Sequence, residues 1–446
     1  MASSRKLSLA DFAERIEAHV APLLPAHSTI LIGLSGGVDS VVLLHLLHRL
    51  EQSHSWKLTA LHVHHGISPN SDAWAEFCTG LCKNYAIPLH IERVDIAPLR
   101  GHGIEAAARK LRHAAFSRQA CDCIALAHHS DDQVETLLLQ LLRGSGVRGA
   151  SAMPLFVERG NSPALLRPLL HFSRKEIVGF ALDQGLKWIE DESNADDSYP
   201  RNFLRHRVLP LLEQKFSAYR DTLFRSTQHF AEADELLDEL ARQDSAEAVR
   251  EEGLEISVLR RLSRTRAKNL LRYHLHTLGA PIPQAAQLED MLDQLCDSRA
   301  DASVCVAWSN WEICRYRGRA HVLHALCEFD RNLVLPWRGE TVLDWPALSA
   351  KLYFSRSRGA GISLEKLQHA PVTIRLRHGG ESLRPRTNSP VRTLKNLLQE
   401  HQVPPWQRDR LPLFFCGEEL VCVPGVAVAA AYQATAGETG IQLSTG

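Results

Sequence analysis

Apolar and polar positions along the first two hundred residues alternate between two periods. A helical spacing of apolar residues over Ser8–Val20 follows a capping serine with an acidic residue three positions on. Next come the short apolar run "STILIGL", a helix over Asp39–Leu50, the run "LTALHVHH", a helix over Asp72–Tyr85 and the run "PLHIERV". A helix over Ile104–Gln119, the run "CIALAHH" and a helix over Asp131–Leu142 complete the series. Short apolar runs bounded by turns read as buried strands. Strands that alternate with helices of this length need right-handed crossovers, so the pattern predicts an α/β fold with a doubly wound parallel sheet. Ligands of such sheets bind beyond the carboxyl ends of the strands, which is where Ser35, His64 and His128 fall.

Near Ser217 the pattern changes to long, charged amphipathic helices, "AYRDTLFRSTQHFAEADELLDELARQD" and "RRLSRTRAKNLLRYHLHTLG", followed by strand-like pieces. A Trp- and Pro-containing stretch over Asp330–Pro346 reads as a linker, and short strands around one helix at Val391–His401 close the chain. Three domains are expected: a catalytic α/β domain over 1–216, a mostly helical middle over 217–329 and a small α+β domain over 346–446.

Composition narrows this picture only a little. With 45% hydrophobic and 23% charged residues the chain is an ordinary globular sequence. No run is long enough to cross a bilayer and no leader pattern opens the chain, so no membrane partner and a cytoplasmic location are expected. The ten cysteines form no CxxC spacing and are expected as free thiols. A formal net charge of zero means that any nucleic-acid partner must be held by local basic clusters.

The chemistry begins at Ser35-Gly36-Gly37-Val38-Asp39-Ser40. Glycines between a strand and a helix let the backbone approach a ligand, and the helix N-terminus offers unpaired amides and partial positive charge, which together make an anion cradle. Ser35 and Ser40 add hydroxyls, and Asp39 stands where a magnesium ion bridging phosphates could use a carboxylate. Two glycines alone would fit a plain strand-to-helix turn, and the spacing is neither the Walker nor the dinucleotide pattern. The full string, however, resembles the PP-loop of the N-type ATP pyrophosphatases, which implies that Ser35, Gly36, Gly37, Val38, Asp39 and Ser40 bind ATP.

Further motifs follow in order: "HVHHGI" from His62, "IEAAARKLRHAAF" from Ile104, "AHHSDDQVET" from Ala127, "LLRGSGVRGASAM" from Leu141, "RPLL" from Arg167 and "EDESNADDSYPRNFLRHRVLPLL" from Glu190. Together they are similar to the tRNA(Ile)-lysidine synthetase family. The family resemblance implies a cytoplasmic ligase of tRNA modification that forms a carbon–nitrogen bond. It would join L-lysine to C2 of the wobble cytidine of CAU-anticodon isoleucine tRNA, using ATP and Mg2+. The C2 oxygen is adenylated with release of pyrophosphate, then lysine displaces AMP, giving lysidine and AUA decoding. Two positions depart from the family pattern: His64 stands where Asn is usual and Ala150 where Leu is usual. Self-association as a homodimer stays open.

Residue chemistry fits that implication. The lysine ε-amine, with an ordinary pKa of about 10.4, must be deprotonated to attack, which calls for a carboxylate or imidazole nearby. Asp132 and Glu135 lie three apart on one face of a helix first turn, and His128 ends the preceding strand. The resemblance gives Asp132 and Glu135 to lysine recognition and places His128, Asp39 and Arg109 in the catalytic set, with Arg112 secondary and His64 beside the nucleotide. It assigns Arg201, Asn202 and Arg205 to the active site and RNA path, and Arg375, Arg377, Arg384 and Lys395 to a tRNA-binding surface. Two rival readings stay in view: another PP-loop tRNA-modifying ligase such as a tRNA thiolase, and a catalytically idle tRNA-binding relative.

Overall fold

Ile30, Leu31 and Ile32 are at most 1% exposed, so both faces of their strand are covered, as a central parallel strand requires. This strand, β1 (Thr29–Gly33), pairs in parallel with β2 (Lys57–His64) on one side and β4 (Cys123–Ala125) on the other. In this computed structural model the described residues are 9–66, 68–95, 104–160, 162–250, 253–299, 302, 304–325, 329–348 and 350–445; the capping residue Ser8 lies outside them.

The first unit, Met1–Glu239, runs α1 (Leu9–Val20), β1, α2 (Val38–His54), β2, α3 (Ser71–Asn84), β3 (Leu89–Arg93), α4 (Ile104–Ser117), β4 and α5 (Ser130–Leu142). The short α6 (Val147–Ala150), β5 (Phe156–Arg159), β6 (Ser162–Leu166), α7 (Arg174–Asp183), α8 (Pro200–Phe203), α9 (Leu209–Lys215) and the start of α10 (Tyr219–Ala248) complete it. The sheet order is β3-β2-β1-β4-β6-β5, parallel except for β5, which pairs antiparallel with β6 at the edge. Alternation sorts the strand residues: Ile30 and Ile32 join the core with α1, α2, α3 and α7, whereas Leu31, Leu61, Ile124 and Leu165 pack with Phe116 of α4. Strand order reverses between β1 and β4, so the crevice of the sheet opens there.

The boundary expected at residue 216 moves. Tyr219 and Leu223 of α10 pack with Val134, Leu138, Leu209 and Leu212, and the first unit extends to Glu239. An amphipathic period announces a helix without saying which core receives its stripe.

The second unit, Leu240–Gly446, holds two cores. In one, helices Ile256–Arg261, Arg264–Thr277 and Ala285–Asp297 pack beside a five-stranded antiparallel sheet. The strands Cys305–Trp308 and Trp311–Tyr316 place Cys305 opposite Cys314, and the two form a disulfide. Hairpin register, which no cysteine spacing reveals, overturns the free-thiol expectation at this pair; Cys78, Cys82, Cys121, Cys123, Cys296, Cys416 and Cys422 are free.

The other core corrects the linker reading of Asp330–Pro346. Val334–Pro336 pairs with Val372–Arg375, and Val342–Trp345 pairs with Ala350–Arg358. Trp345 is 0% exposed and its indole N–H donates to the Arg410 carbonyl at 2.8 Å. The tryptophans that suggested a turn-rich connector are core anchors. Among the described residues, no helix is long and apolar enough to cross a membrane.

Candidate active site

The loop after β1 is built around Gly36, whose φ of 90° lies in the left-handed region that glycine tolerates. A Cβ there would sit 2.7 Å from Ile189 Cδ1, and the Gly36 carbonyl accepts the Ile189 N–H at 2.9 Å. Gly37, by contrast, is an extended N-cap at φ −71°. Ser40 shapes the loop: its Oγ accepts the N–H groups of Ser35 and Gly36, each at 3.2 Å, and donates to the Gly37 carbonyl at 2.9 Å. Two of the expected phosphate donors are thereby engaged inside the loop. The first intrahelical bond of α2 runs from Val41 N–H to the Gly37 carbonyl at 3.1 Å, leaving the preceding helical amides and the dipole of a 17-residue helix toward the crevice. His62, 4% exposed, holds the strand end through Nδ1 to the Leu34 carbonyl at 2.9 Å.

Asp39 in the first turn of α2 faces the start of α5. His129 caps α5, its Nδ1 accepting the Asp132 N–H at 3.4 Å while the Asp132 carboxylate accepts the His129 N–H at 3.0 Å. With Nδ1 an acceptor, the ring proton sits on Nε2, which lies 3.8 Å from Asp39 Oδ2 and 3.5 Å from Asp132 Oδ2. Burial raises the Asp39 carboxyl above the ordinary value, opposed by His129 and assisted by Asp132. Burial also acts to raise Asp132, yet His129, Arg201, His128 and the His129 backbone N–H outweigh it and hold that carboxyl below the ordinary value. Asp39 Oδ1 is buried and has no hydrogen-bond partner among the described residues. That bare oxygen beside a helix N-terminus fits a ligand for Mg2+ on a phosphate chain.

Glu135, 1% exposed, receives Arg201 Nε at 2.6 Å and Arg205 Nε and Nη2 at 2.7 and 2.9 Å. Arg201 Nη2 also reaches Asp132 Oδ1 at 3.1 Å. The two arginines that were expected along an RNA path thus stand against the expected lysine-binding carboxylates. They are aimed there by α8 and by a π-helical turn at Leu204–Val208. Asn202 between them is 9% exposed and donates to the Asp196 carbonyl at 2.9 Å. Behind this layer, Asp131 accepts Arg220 Nε at 2.9 Å and the Arg174 N–H at 2.8 Å.

Other expected residues lie apart. His64 turns to Asp72 Oδ1, 3.2 Å from its Nε2, with Arg93 adjacent at 3.4 Å. Arg109 is exposed on α4. His128 lies three residues beyond the end of β4, and burial together with Arg167, Arg201 and Arg109 pushes its imidazole down to about 3 against the opposing pull of Asp132. In the C-terminal core Arg375 is tied to Glu418 at 3.0 Å and to the Gly417 carbonyl at 2.9 Å, and Arg377 lies 3.8 Å from Asp409. Arg384 and Lys395 are exposed. The glycine-rich stretch after α5 is in part ordinary capping, with Gly144 at φ 73° donating to the Leu141 carbonyl at 3.0 Å.

Sequence reasoning missed His129 and the buried Arg167. The capping position of His129 was a usable signal, because Asp132 follows it by three residues in the capping-box spacing. Nothing in the sequence marks Arg167 as buried.

Comparison with known proteins agrees along the whole chain. Residues 9–212 match the PP-loop domain, residues 254–321 the TilS substrate binding domain and residues 372–445 the TilS substrate C-terminal domain. The tRNA(Ile)-lysidine synthase of Nitrosomonas europaea is 44% identical, covering 99% of this chain and 97% of its own length. The protein of the same name from Coxiella burnetii is 36% identical, covering 94% of this chain and 93% of its own. Among solved structures, the U34-tRNA thiolase NcsA from Methanococcus maripaludis aligns with a TM-score of 0.44 at 17% identity, covering 50% of this chain and 80% of that one. The two near-full-length relatives exceed what a shared domain could give, and the chain belongs to the tRNA(Ile)-lysidine synthase family.

Proposed function

We propose that the chain ligates L-lysine to C2 of the wobble cytidine of CAU-anticodon isoleucine tRNA. The cytidine C2 oxygen attacks the α-phosphorus of ATP, the α–β bridging bond breaks, and pyrophosphate leaves with the electron pair. The neutral ε-amine of lysine then attacks C2, the C2–O bond breaks, AMP leaves and the amine proton is lost to a nearby base. The observation that carries this reading is the meeting of the PP-loop helix with the acidic start of α5, where His129 Nε2 stands between Asp39 and Asp132 at 3.8 and 3.5 Å. It supports a site that handles a phosphate chain on one side and an ammonium on the other.

In this reading the helical amides of α2 bind phosphate, and Asp39, whose Oδ1 has no partner among the described residues, would hold Mg2+, which would supply charge neutralisation along the triphosphate. Asp132, kept ionised by its neighbours, receives the lysine ammonium. Glu135, bridged by Arg201 and Arg205, positions those guanidiniums around it. His128, held neutral at physiological pH by burial and by the Arg167, Arg201 and Arg109 cations, serves as a proton acceptor once an anionic intermediate offsets those cations. Arg384 and Lys395 offer exposed cations to the RNA backbone. Work in the cytoplasm belongs to the same reading, and sedimentation of the purified chain tests for a homodimer.

Purified protein incubated with ATP, magnesium, radiolabelled lysine and CAU-anticodon isoleucine tRNA should leave label on that RNA and none on methionine tRNA. Pyrophosphate release without lysine incorporation would move the function to another ligase of the ATP-splitting class.

A further inference from the structure

Three buried nitrogens on the α4 side of the sheet have no hydrogen-bond partner among the described residues: His65 Nδ1, His128 Nδ1 and Arg167 Nε. Strand alternation brings them together. Leu61 and Val63 of β2, Ile124 of β4 with Leu126 just beyond it, and Leu165 of β6 all pack against α4. Two residues beyond each row stand His65, His128 and Arg167, at the carboxyl ends where the crevice opens. Arg109, Arg112 and His113 lie on the helix that covers this face.

Charge is unbalanced here. Arg167 is 8% exposed, and the one described bond of its side chain runs from Nη1 to the Pro154 carbonyl at 2.7 Å. Burial first, then Arg159 and Arg109, lower its guanidinium to about 10, with no carboxylate acting on it among the described side chains, so it stays protonated at neutral pH. Burial, then Arg112, His62 and His64, lower His65 to about 4. Cations depress every one of these groups, and a buried guanidinium left this way is costly unless an anion completes it.

We propose that Arg167 is the buried anchor for a phosphoryl group of the bound nucleotide, engaging it through the Nε edge that the Pro154 contact leaves open, with His65 and His128 closing around it. A phosphoryl group supplies both the missing negative charge and several acceptors for a guanidinium fork. β6 lies two strands from β1, roughly 10 Å at ordinary strand spacing, within reach of a triphosphate held at the PP-loop. The depth of Arg167 favours the small phosphate tail over an RNA backbone carrying its riboses. This deepens the reading above and rests on it only for ATP as the nucleotide.

The test is calorimetric titration of the full chain with ATP, AMP and pyrophosphate, each with magnesium and without RNA or lysine, for the parent, Arg167→Met and Arg167→Lys. Arg167→Met should weaken at least one of the three ligands tenfold or more while its ligand-free Tm equals or exceeds the parent's, because an uncompensated charge has been removed. Arg167→Lys, a point charge without the fork, should fall between. Parent-like affinity for all three ligands in Arg167→Met overturns the proposal. A lowered Tm in Arg167→Met with parent-like binding in Arg167→Lys also overturns it, leaving a structural role. These readouts need no lysine transfer, so a parent that binds ATP but fails to label tRNA would refute the proposed reaction and leave this inference standing.

Discussion

The two sides of the crevice treat buried charge in opposite ways. On the α5 side Asp132 and Glu135 meet Arg201 and Arg205 through contacts of 2.6 to 3.1 Å, and each charge has a counter-charge. On the α4 side Arg167 faces, among the described residues, a carbonyl and further basic groups. The contrast separates charges that hold the site's shape from charges that await a ligand. Matched groups stabilise geometry and become harmful when one partner is removed, whereas an unmatched group weakens the free protein and should be removable with gain.

The strongest way to break this comparison is Glu135→Ala. It would leave two largely buried guanidiniums without their shared carboxylate, Arg201 and Arg205 being 22% and 24% exposed in their side chains. A loss of about 3–5 kcal/mol in urea unfolding is expected, together with loss of lysine labelling. A cost under about 1 kcal/mol would show that the pairs do not carry the geometry.

Asp39→Asn should separate activity from stability. Because the folded state raises the Asp39 carboxyl, the proton favours folding, so the ionised form at neutral pH costs stability relative to the unfolded chain. Replacing it by the neutral amide should leave the unfolding midpoint equal or higher. Pyrophosphate release should meanwhile drop by about 10²–10³, as for loss of one transition-state electrostatic contact. A fall in both quantities would leave Asp39 a structural role in the first turn of α2.

A smaller effect tests the cation-rich side. His128 is lowered from 6.5 to about 3, so protonation favours the unfolded chain, and the stability tied to its neutral form is complete above 6.5 and declines as pH falls toward 3. At pH 5 that amounts to about 2 kcal/mol. Unfolding measured from pH 7 to 5 should therefore show a slope that His128→Asn reduces. An unchanged slope would mean that the imidazole is not held neutral by burial and its cationic neighbours.

Much of the fold could be read from the chain because it is local. The short apolar run "STILIGL" and the helical period after Asp39 reappear as β1 and α2 within a few residues. The loop was legible for the same reason, since Gly36 needs its positive φ wherever the rest of the chain goes. What stayed hidden depends on distant partners. Ser40 is the local exception: it looked like a phosphate donor, yet its hydroxyl has its partners three to five residues away within the loop. Arg201 looked like an RNA contact, yet Glu135, 66 positions earlier, receives it. Trp345 looked like part of a linker until Arg410 was beside it.

The C-terminal core repeats the comparison at the surface, where effects are smallest. Arg375 is matched: Glu418 and the Gly417 carbonyl bind it, and its guanidinium lies 4.9 Å from the Phe415 ring centroid. Lys395 is exposed at the start of a helix whose buried face is Leu394, Leu397 and Leu398. Lys395→Ala should therefore leave stability within about 0.5 kcal/mol. If Lys395 meets an RNA phosphate, the slope of log affinity for tRNA against log salt should fall by about 1, uniformly across RNA sequences. Arg375→Ala should do the reverse, lowering the unfolding midpoint through lost packing and pairing while leaving the salt slope nearly intact. Filter binding over a salt series with both variants decides between them: equal slopes for parent and Lys395→Ala would mean that exposure alone does not mark the RNA-facing cations.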